Sequence, residues 1–378
     1  VVRVGLLHLF ECPIGKSEKE MIDENLEMIQ AADELGFDSV WAAEHHFSIY
    51  GVMPAPAVYA TAAAMKTEKV RIGIAVVVLP FHNPIRVAED FAFVDILSNG
   101  RLEFGVGRGY QPSEYAGFGV SQDDSRTMFR ESLQLVLKAW TEEEVTYEGK
   151  YVQVRNLTVR PKPLQKPHPP VWVAAVSPQT FPSVGSWGYN LLFAPPWKAS
   201  TTALDAYRRA LVLGGHDPKT VRVGALVHLF VDESTERARQ VFREPIMWYY
   251  RVFSGLVSVQ AGQLVPRTYE HYTKLRDITQ TITYEQLLEV DGVIAGDPET
   301  CLAKINRLQE TYGLTDLLCW TRLGGLDHRE VIRSMERTAK YILPRVRPLE
   351  PSPAFLEASA RAGEAALQAQ EEKGRVGF

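Results

Sequence analysis

Cysteine is nearly absent: Cys12, Cys301 and Cys319 are the whole complement in 378 residues. An odd, widely spaced set excludes a disulfide framework and a paired-cysteine zinc motif, and it favours a reducing compartment. Long apolar runs are missing too, with none near the ~18 residues of a membrane span. There is no Lys/Arg block and no interleaving of basic and aromatic residues. With a formal net charge of −5, that argues against a nucleic-acid surface. The stretch 1–10 is apolar but too short and wrongly flanked for a signal peptide, and reads as a first buried strand. No internal repeat of fixed period occurs. The expectation is a soluble, cytoplasmic protein with no nucleic-acid or membrane partner.

What is present is a globular composition, 46% hydrophobic and 23% charged. Length alone allows two or three domains, but α/β barrels run to about 250 residues or more as one. Strand-like 2–10 is followed by Ser17-Glu18-Lys19-Glu20, which has the form of a capping box. Ile22, Leu26, Ile29 and Ala32 recur at helical spacing until Gly36. The apolar run Ser39–Ala43 then leads into Glu44-His45-His46-Phe47. A helix is expected over 57–65, and 70–79 reads as one strand buried on both faces. After the loop Pro80-Phe81-His82, Asn83 and Pro84 open a helix that ends before Asn99-Gly100. Residues 101–106 form the next strand, and 129–140 the next helix.

Residues 144–170 break the alternation with a hairpin and a Pro-rich tail, read as an insertion. Strands resume at 171–175, 191–194, 221–231 and 317–321, with helices beginning near Thr201, Ser234, Pro298 and Asp327. Eight strands in strand–helix alternation predict a closed (β/α)₈ TIM barrel over 1–347. The segment 248–294 fits no unit and is aromatic in places, so it is read as a lid. Residues 348–378 form a tail of helical composition, either a solvated helix or an oligomer arm.

Catalytic groups collect at the carboxyl ends of strands in parallel α/β folds. Glu44, His45 and His46 sit at such an end. They can be proton-transfer or substrate-contact groups, structural residues, or metal ligands. Neighbouring strand residues face opposite ways and helical ligand spacing is absent, so the metal reading is the weakest. Gly105-Val106-Gly107-Arg108-Gly109 departs from the dinucleotide fingerprint, because its third glycine comes early and Gln111-Pro112 follows instead of a helix. It is either a tight turn or a close backbone approach to a planar or phosphorylated ligand, with Arg108 as a fork. Ser177, Pro178 and Thr180 open a helix, where capping and anion binding both account for the hydroxyls. His8 and His82 end predicted strands and are candidates for the mouth of the barrel. His228, inside a strand, reads as a hydrogen-bonded core residue. Trp320 is core or a ligand-stacking ring.

Together these residues resemble the bacterial luciferase-like monooxygenase family. The densest matches are 36–41 through 44–47, then Leu79-Pro80, Pro84 and Glu89-Asp90. Further matches are Ser98–Arg101 with 105–109, and Gly324-Gly325-Leu326. The resemblance implies a barrel that takes reduced FMN as co-substrate. The flavin reacts with O₂ to a C4a-(hydro)peroxide, which oxygenates an organic substrate; the apolar residues of the lid segment suggest a small, largely apolar one. It implies His45 as the catalytic histidine and a cis peptide at Ala75-Val76 under the flavin ring. Arg108, Ser177 and Thr180 match residues around the flavin phosphate. Glu44, Tyr110, Val176 and Trp320 are expected at the cofactor, and His8, His46 and His82 at the substrate.

Gly107 stands where luciferase has a reactive cysteine, and Val176 where it has a glutamate, so light emission is not expected. A separate NAD(P)H-dependent flavin reductase and a homodimer or higher homo-oligomer are the expected partners. Three alternatives stay open: a deazaflavin-dependent dehydrogenase, a non-catalytic flavin-binding protein and a metal-dependent hydrolase using Glu44, His45 and His46.

Overall fold

The computed structural model describes residues 2–194, 199–256 and 270–346; the tail after 346 and the middle of the segment read as a lid, with Val257 and Gly262, lie outside the described residues. Strand β1 (Arg3–His8) leads to helix α1 (Glu18–Leu35). The Ser17 hydroxyl accepts the Glu20 N–H, and the Glu20 carboxylate accepts the Ser17 N–H at 2.9 Å, so both orphan donors are satisfied. Then come β2 (Ser39–Ala42), α2 (Pro56–Lys66), β3 (Arg71–Ile74), β4 (Val77–Val78), α3 (Pro84–Leu97) and β5 (Leu102–Gly107). Two helices follow, α4 (Pro112–Phe118) and α5 (Ser125–Thr141), before the antiparallel hairpin β6 (Val145–Glu148) and β7 (Gln153–Leu157).

The alternation resumes with β8 (Val171–Ala174), α6 (Thr180–Trp187), β9 (Asn190–Phe193), α7 (Ala199–Leu213), β10 (Val223–Val231) and α8 (Thr235–Leu256). Helices α9 (Glu270–Thr281) and α10 (Tyr284–Glu289) precede β11 (Val293–Gly296), α11 (Pro298–Tyr312), β12 (Asp316–Trp320) and α12 (His328–Arg337). Strands β1, β2, β3, β5, β8, β9, β10 and β12 pair in parallel, and β12 returns to β1. This is the closed eight-stranded α/β barrel expected from the alternation. Two short strands supplement it: β4 continues the line of β3 along β5, and β11 lies beside the far end of β10.

Two expectations need correction, and the segment read as a lid gains its helices. The run 70–79 is not one strand, because a cis peptide at Ala75-Val76 separates β3 from β4. A helix does follow Gln111-Pro112: proline occupies the first turn of α4, where its missing N–H costs nothing. Segment 248–294, where described, is mostly the end of α8 with α9 and α10.

Register shows which side chains enter the barrel. Leu7 pairs with Trp41, Trp41 with Gly73, Gly105 with Trp172, Ala174 with Leu192, Gly224 with Leu192, Leu226 with Leu318 and His228 with Trp320. These in-register residues share one face, and it is the inner one. The Trp41 and Trp172 rings meet edge to face at 5.4 Å across it, and a Cβ on Gly73 would run into the Trp41 ring.

The amino-terminal end of the barrel is closed by charge. Glu103 accepts from Arg71, from Arg222 at 2.7 Å and from the Trp172 indole at 2.6 Å. Arg222 also binds Asp316 at 3.0 Å and lies over the Trp172 ring. Burial opposes the Arg222 charge, but Glu103 and Asp316 outweigh it and raise its pKa. Among the described residues no helix is long and apolar enough to cross a membrane.

Candidate functional site

At the carboxyl-terminal end of the barrel the inward residues become small on one side: Gly107 on β5 and Ala174 on β8, beside Ala75 and Val76 at the break between β3 and β4. Backbone therefore replaces side chain there, leaving a cavity of about 420 Å³, within the size range of ligand sites. Gly107 is required by this packing, since a Cβ would stand 2.5 Å from Val76 Cγ2. That contact gives a physical reason for glycine where luciferase carries cysteine.

One end of the cavity is built of carboxylates and imidazole. The chain leaves β2 at Ala42, and Glu44 and His45 both line the cavity. Glu44 Oε1 accepts from His46 Nε2 at 2.9 Å and His82 Nε2 at 2.7 Å, while Oε2 accepts the Val78 N–H at 2.7 Å. Burial alone would raise the Glu44 carboxyl, but these bonds and the His82 charge hold it below its ordinary pKa. The same pairing raises His82 against its own burial.

His45 turns the other way. Its Nδ1 lies 3.0 Å from Glu114 Oε1, which also accepts the His46 backbone N–H at 3.0 Å. An oxygen that accepts from an amide leaves Nδ1 as the hydrogen carrier, so the Nε2 lone pair is free. Gln111 also approaches Nδ1, at 2.9 Å with its amide nitrogen. Its Oε1 has no partner, and a half-turn of the amide, an interchange of near-identical shapes, would pair that oxygen with the Nδ1 hydrogen. Among the described residues no hydrogen bond reaches His45 Nε2. The ring is held edge-on by Tyr50 at 4.8 Å and Tyr110 at 5.8 Å.

The other end is cationic and hydroxylic. Ser177, Thr180 and Ser183 come from the start of α6, and Arg126 and Arg130 from the first turns of α5; Phe129 meets Trp187 where the two helices pack. Arg108 completes the group from the loop after β5. Arg126 and Arg130 are exposed, with no ion pair among the described residues. Helix α6 begins at Thr180, later than the sequence suggested, and its N-cap residue Gln179 makes no side-chain cap bond. Ser177 does not serve as that cap: its Oγ lies 2.8 Å from Thr180 Oγ1, and both line the cavity.

Of the residues singled out from sequence, Glu44, His45, Ala75, Val76, Arg108, Tyr110, Val176, Ser177 and Thr180 line this one cavity. His46 and His82 stand behind it and grip Glu44. His8 does not join them. It faces out of the barrel, with Nδ1 3.2 Å from Asn25 on α1, and burial pushes its pKa down to about 4. Trp320 is inward but lies apart from the cavity lining, 5.1 Å from the His228 ring and 4.7 Å from Tyr249. His228 packs among these rings as a partly exposed inner residue, and its Nδ1 has no hydrogen-bond partner. Sequence reasoning missed Gln111, Glu114, Arg126 and Arg130. Among the described residues no group of three or more His, Cys, Asp or Glu is arranged to hold a metal ion.

The family model described as luciferase-like monooxygenase matches residues 2–315. The alkanal monooxygenase alpha chain of the Kryptophanaron alfredi symbiont is 25% identical over 345 residues, 88% of this chain and 95% of that one. The oxygenase component of a flavin-dependent trigonelline monooxygenase from Acinetobacter baylyi is 33% identical over 191 residues, 50% of this chain and 53% of its own. An uncharacterised Sinorhizobium fredii protein, 38% identical over 176 residues, is likewise matched over 50% of its length and 47% of this chain. Among solved structures, the oxygenating constituent of 3,6-diketocamphane monooxygenase from Pseudomonas putida, in complex with FMN, superposes with a TM-score of 0.77 at 22% identity, covering 92% of this chain and 99% of that one. An F420-dependent secondary alcohol dehydrogenase shares the fold at 19% identity and a TM-score of 0.71, covering 92% and 99%. With the family model matched over most of its length, the chain belongs to the luciferase-like monooxygenase family and is a flavin-dependent monooxygenase by class.

Proposed function

We propose that the protein takes reduced FMN and O₂ and inserts one oxygen atom into a small, largely apolar organic substrate. One observation carries this reading: a single cavity has the exposed guanidinium groups of Arg126 and Arg130 with the Ser177–Thr180 hydroxyl pair at one end and an oriented imidazole at the other. The first end suits a phosphate, because Arg126 and Arg130 offer guanidinium forks and Ser177 and Thr180 add hydroxyl donors. Between the ends, Gly107, Ala174 and the Ala75-Val76 step leave room for a flat ring against backbone. Bound there, reduced FMN supplies the electrons that activate O₂, by the route expected for the family.

The chain's own residues do the rest. Glu114 fixes the His45 tautomer, so Nε2 takes up or returns a proton at the reacting end of the cavity. Glu44, locked by His46 and His82, places a fixed negative charge beside it. Tyr50 and Tyr110 wall the imidazole with aromatic surface and thin the water around it, which limits wasteful loss of peroxide. A separate NAD(P)H-dependent reductase delivers the reduced flavin, in keeping with the relative described as an oxygenase component.

Titration with FMN and with riboflavin, which lacks the phosphate, tests the anion end. FMN should bind at least about tenfold more tightly, as one or two charge-assisted contacts provide, and Arg126→Ala/Arg130→Ala should erase the difference. Equal affinities in the unmodified protein would refute the assignment. Product formation with reduced FMN under strict exclusion of O₂ would instead favour hydride transfer of the deazaflavin kind.

A further inference from the structure

Helix α5 carries Arg126 and Arg130 on one side and is fastened along another by the hairpin that follows it. The chain leaves α5 at Thr141 and turns back along the helix as β6, so successive hairpin residues meet successively earlier turns. The Tyr147 hydroxyl donates to Gln134 Oε1 at 2.8 Å. At the hairpin tip the Lys150 and Tyr151 N–H groups donate to the two oxygens of Glu131, at 2.9 and 2.8 Å. Last, the Tyr151 hydroxyl and the Lys150 ammonium reach Asp124, at the start of the helix. Gly149 permits the close approach, since a Cβ there would stand 2.4 Å from Glu131 Oε2.

Arg126 lies in the first turn of α5 and Arg130 one turn on. The positive end of a helix disfavours cations there, and two like charges at that spacing repel. An acid at the cap or in the first turn would ordinarily offset both effects. Yet the first turn holds no acid, and Asp124 at the N-cap makes no side-chain cap bond. Its carboxylate is drawn off to the hairpin, where it pairs with Lys150. The Tyr151 hydroxyl first, then the Lys150 charge and Ser121, hold it below its ordinary pKa. Glu131, next to Arg130 in sequence, is likewise held by the two hairpin N–H groups. Asp124 and Glu131 stand seven residues apart and share a side of the helix, a different one from that which Arg126 and Arg130 turn to the cavity. Phe129, buried against Trp187, seats the same turns from inside; the hairpin grips them from outside. The far end of α5 is fixed separately, by the Trp140 indole, which donates to the Ala88 carbonyl at 2.8 Å.

We propose that the hairpin tip is a clamp on the cofactor side. Glu131 and Tyr151 are positioning residues: they set the roll of the first turns of α5, aim Arg126 and Arg130 into the cavity, and keep the two neighbouring carboxylates from pairing with them. Neither residue lines the cavity, so each acts on a bound phosphate only through the helix. The proposal rests on reading the arginine end as the seat of the FMN phosphate, and extends that reading to residues outside the site.

The sign of one substitution separates a clamp from a bystander. Glu131→Ala removes a negative charge beside Arg130; had Glu131 no other role, the more positive helix end would bind FMN more tightly. The clamp predicts the opposite. Titration of the full chain should show FMN affinity reduced about threefold to tenfold, the scale of a charge-assisted contact put out of line, with riboflavin affinity unchanged. Tyr151→Phe alters no charge and releases Asp124 toward Arg126. It should lower FMN affinity about threefold and leave riboflavin as it was. Unchanged or tighter FMN binding in Glu131→Ala, or an equal loss of both flavins, would overturn the clamp, while Arg126→Ala/Arg130→Ala still decides the phosphate seat. If the unmodified protein binds the two flavins equally, the phosphate reading falls first and the clamp with it, before any hairpin variant is made.

Discussion

The two ends of the barrel solve opposite problems with the same inner face. At the floor, Glu103 gathers Arg71, Arg222 and the Trp172 indole, and Arg222 continues to Asp316, so the buried charges are matched and the indole hydrogen is used. At the mouth, another inward indole on the same inner face, Trp320, has no acceptor, and Glu11 Oε1 and His228 Nδ1 are likewise unpartnered. A polar group left unpaired in a core is a cost that a structural role does not repay. The floor is built for closure, and the mouth is built to be completed by something else.

The strongest way to break this contrast is Glu103→Ala. It strands Arg222 beside a single carboxylate and orphans the Trp172 N–H, and removing one partner of a buried ion pair costs about 3–5 kcal/mol. Urea denaturation should show that loss in full. A change below about 1 kcal/mol would mean that the floor network relaxes into solvent and that the two ends differ less than their hydrogen bonds suggest.

At the mouth the signature reverses. His45→Ala should leave stability within about 1 kcal/mol and FMN binding intact, yet lower coupled product formation by about 10²-fold, the lower end for a positioned acid–base group. Oxygen consumption should continue and appear as hydrogen peroxide. A variant that remained coupled would remove His45 from the chemistry. Glu114→Gln, which keeps the contact but weakens tautomer control, should fall between the two.

The barrel was legible because each strand–helix unit carries its own punctuation: the Ser17 box, the Asn83-Pro84 start, the continuous apolar strands. What was hidden follows from the same logic. Residues 70–79 are apolar apart from Arg71, and hydrophobicity carries no mark of the backbone break at Ala75-Val76, where only the family resemblance implied a cis peptide. His8 was misjudged by one step of strand parity: Leu7 points in, and so His8 points out to Asn25. Glu114, on a seven-residue helix, and Gln111, just ahead of it, lie 69 and 66 residues from His45, with no local pattern to announce them. Arg126 and Arg130 did leave a trace. Two like charges four apart on a helix repel, and that spacing is what the proposed phosphate would relieve.

The mildest effect sharpens the comparison most, because it reads one unpaired atom of the mouth directly. Glu11, on the loop after β1, is buried; its Oε2 accepts the Gly324 N–H at 2.8 Å and its Oε1 accepts nothing. Burial raises its pKa from 4.5 to about 8, against the Gly324 bond and the Arg322 charge, which lower it. Between those two values the folded protein holds a proton that the unfolded chain has released. Stability must then fall as pH rises from about 4.5 to about 8, by at most about 1.4 kcal/mol per pH unit, and level off above. Glu11→Gln keeps the shape and removes the titration. The difference in stability between variant and parent should therefore grow in the variant's favour across that window, other ionisations cancelling. A difference that stays flat from pH 4.5 to 8 would mean that water or a rearranged partner satisfies Glu11, and that the mouth is less open than its unpaired atoms imply.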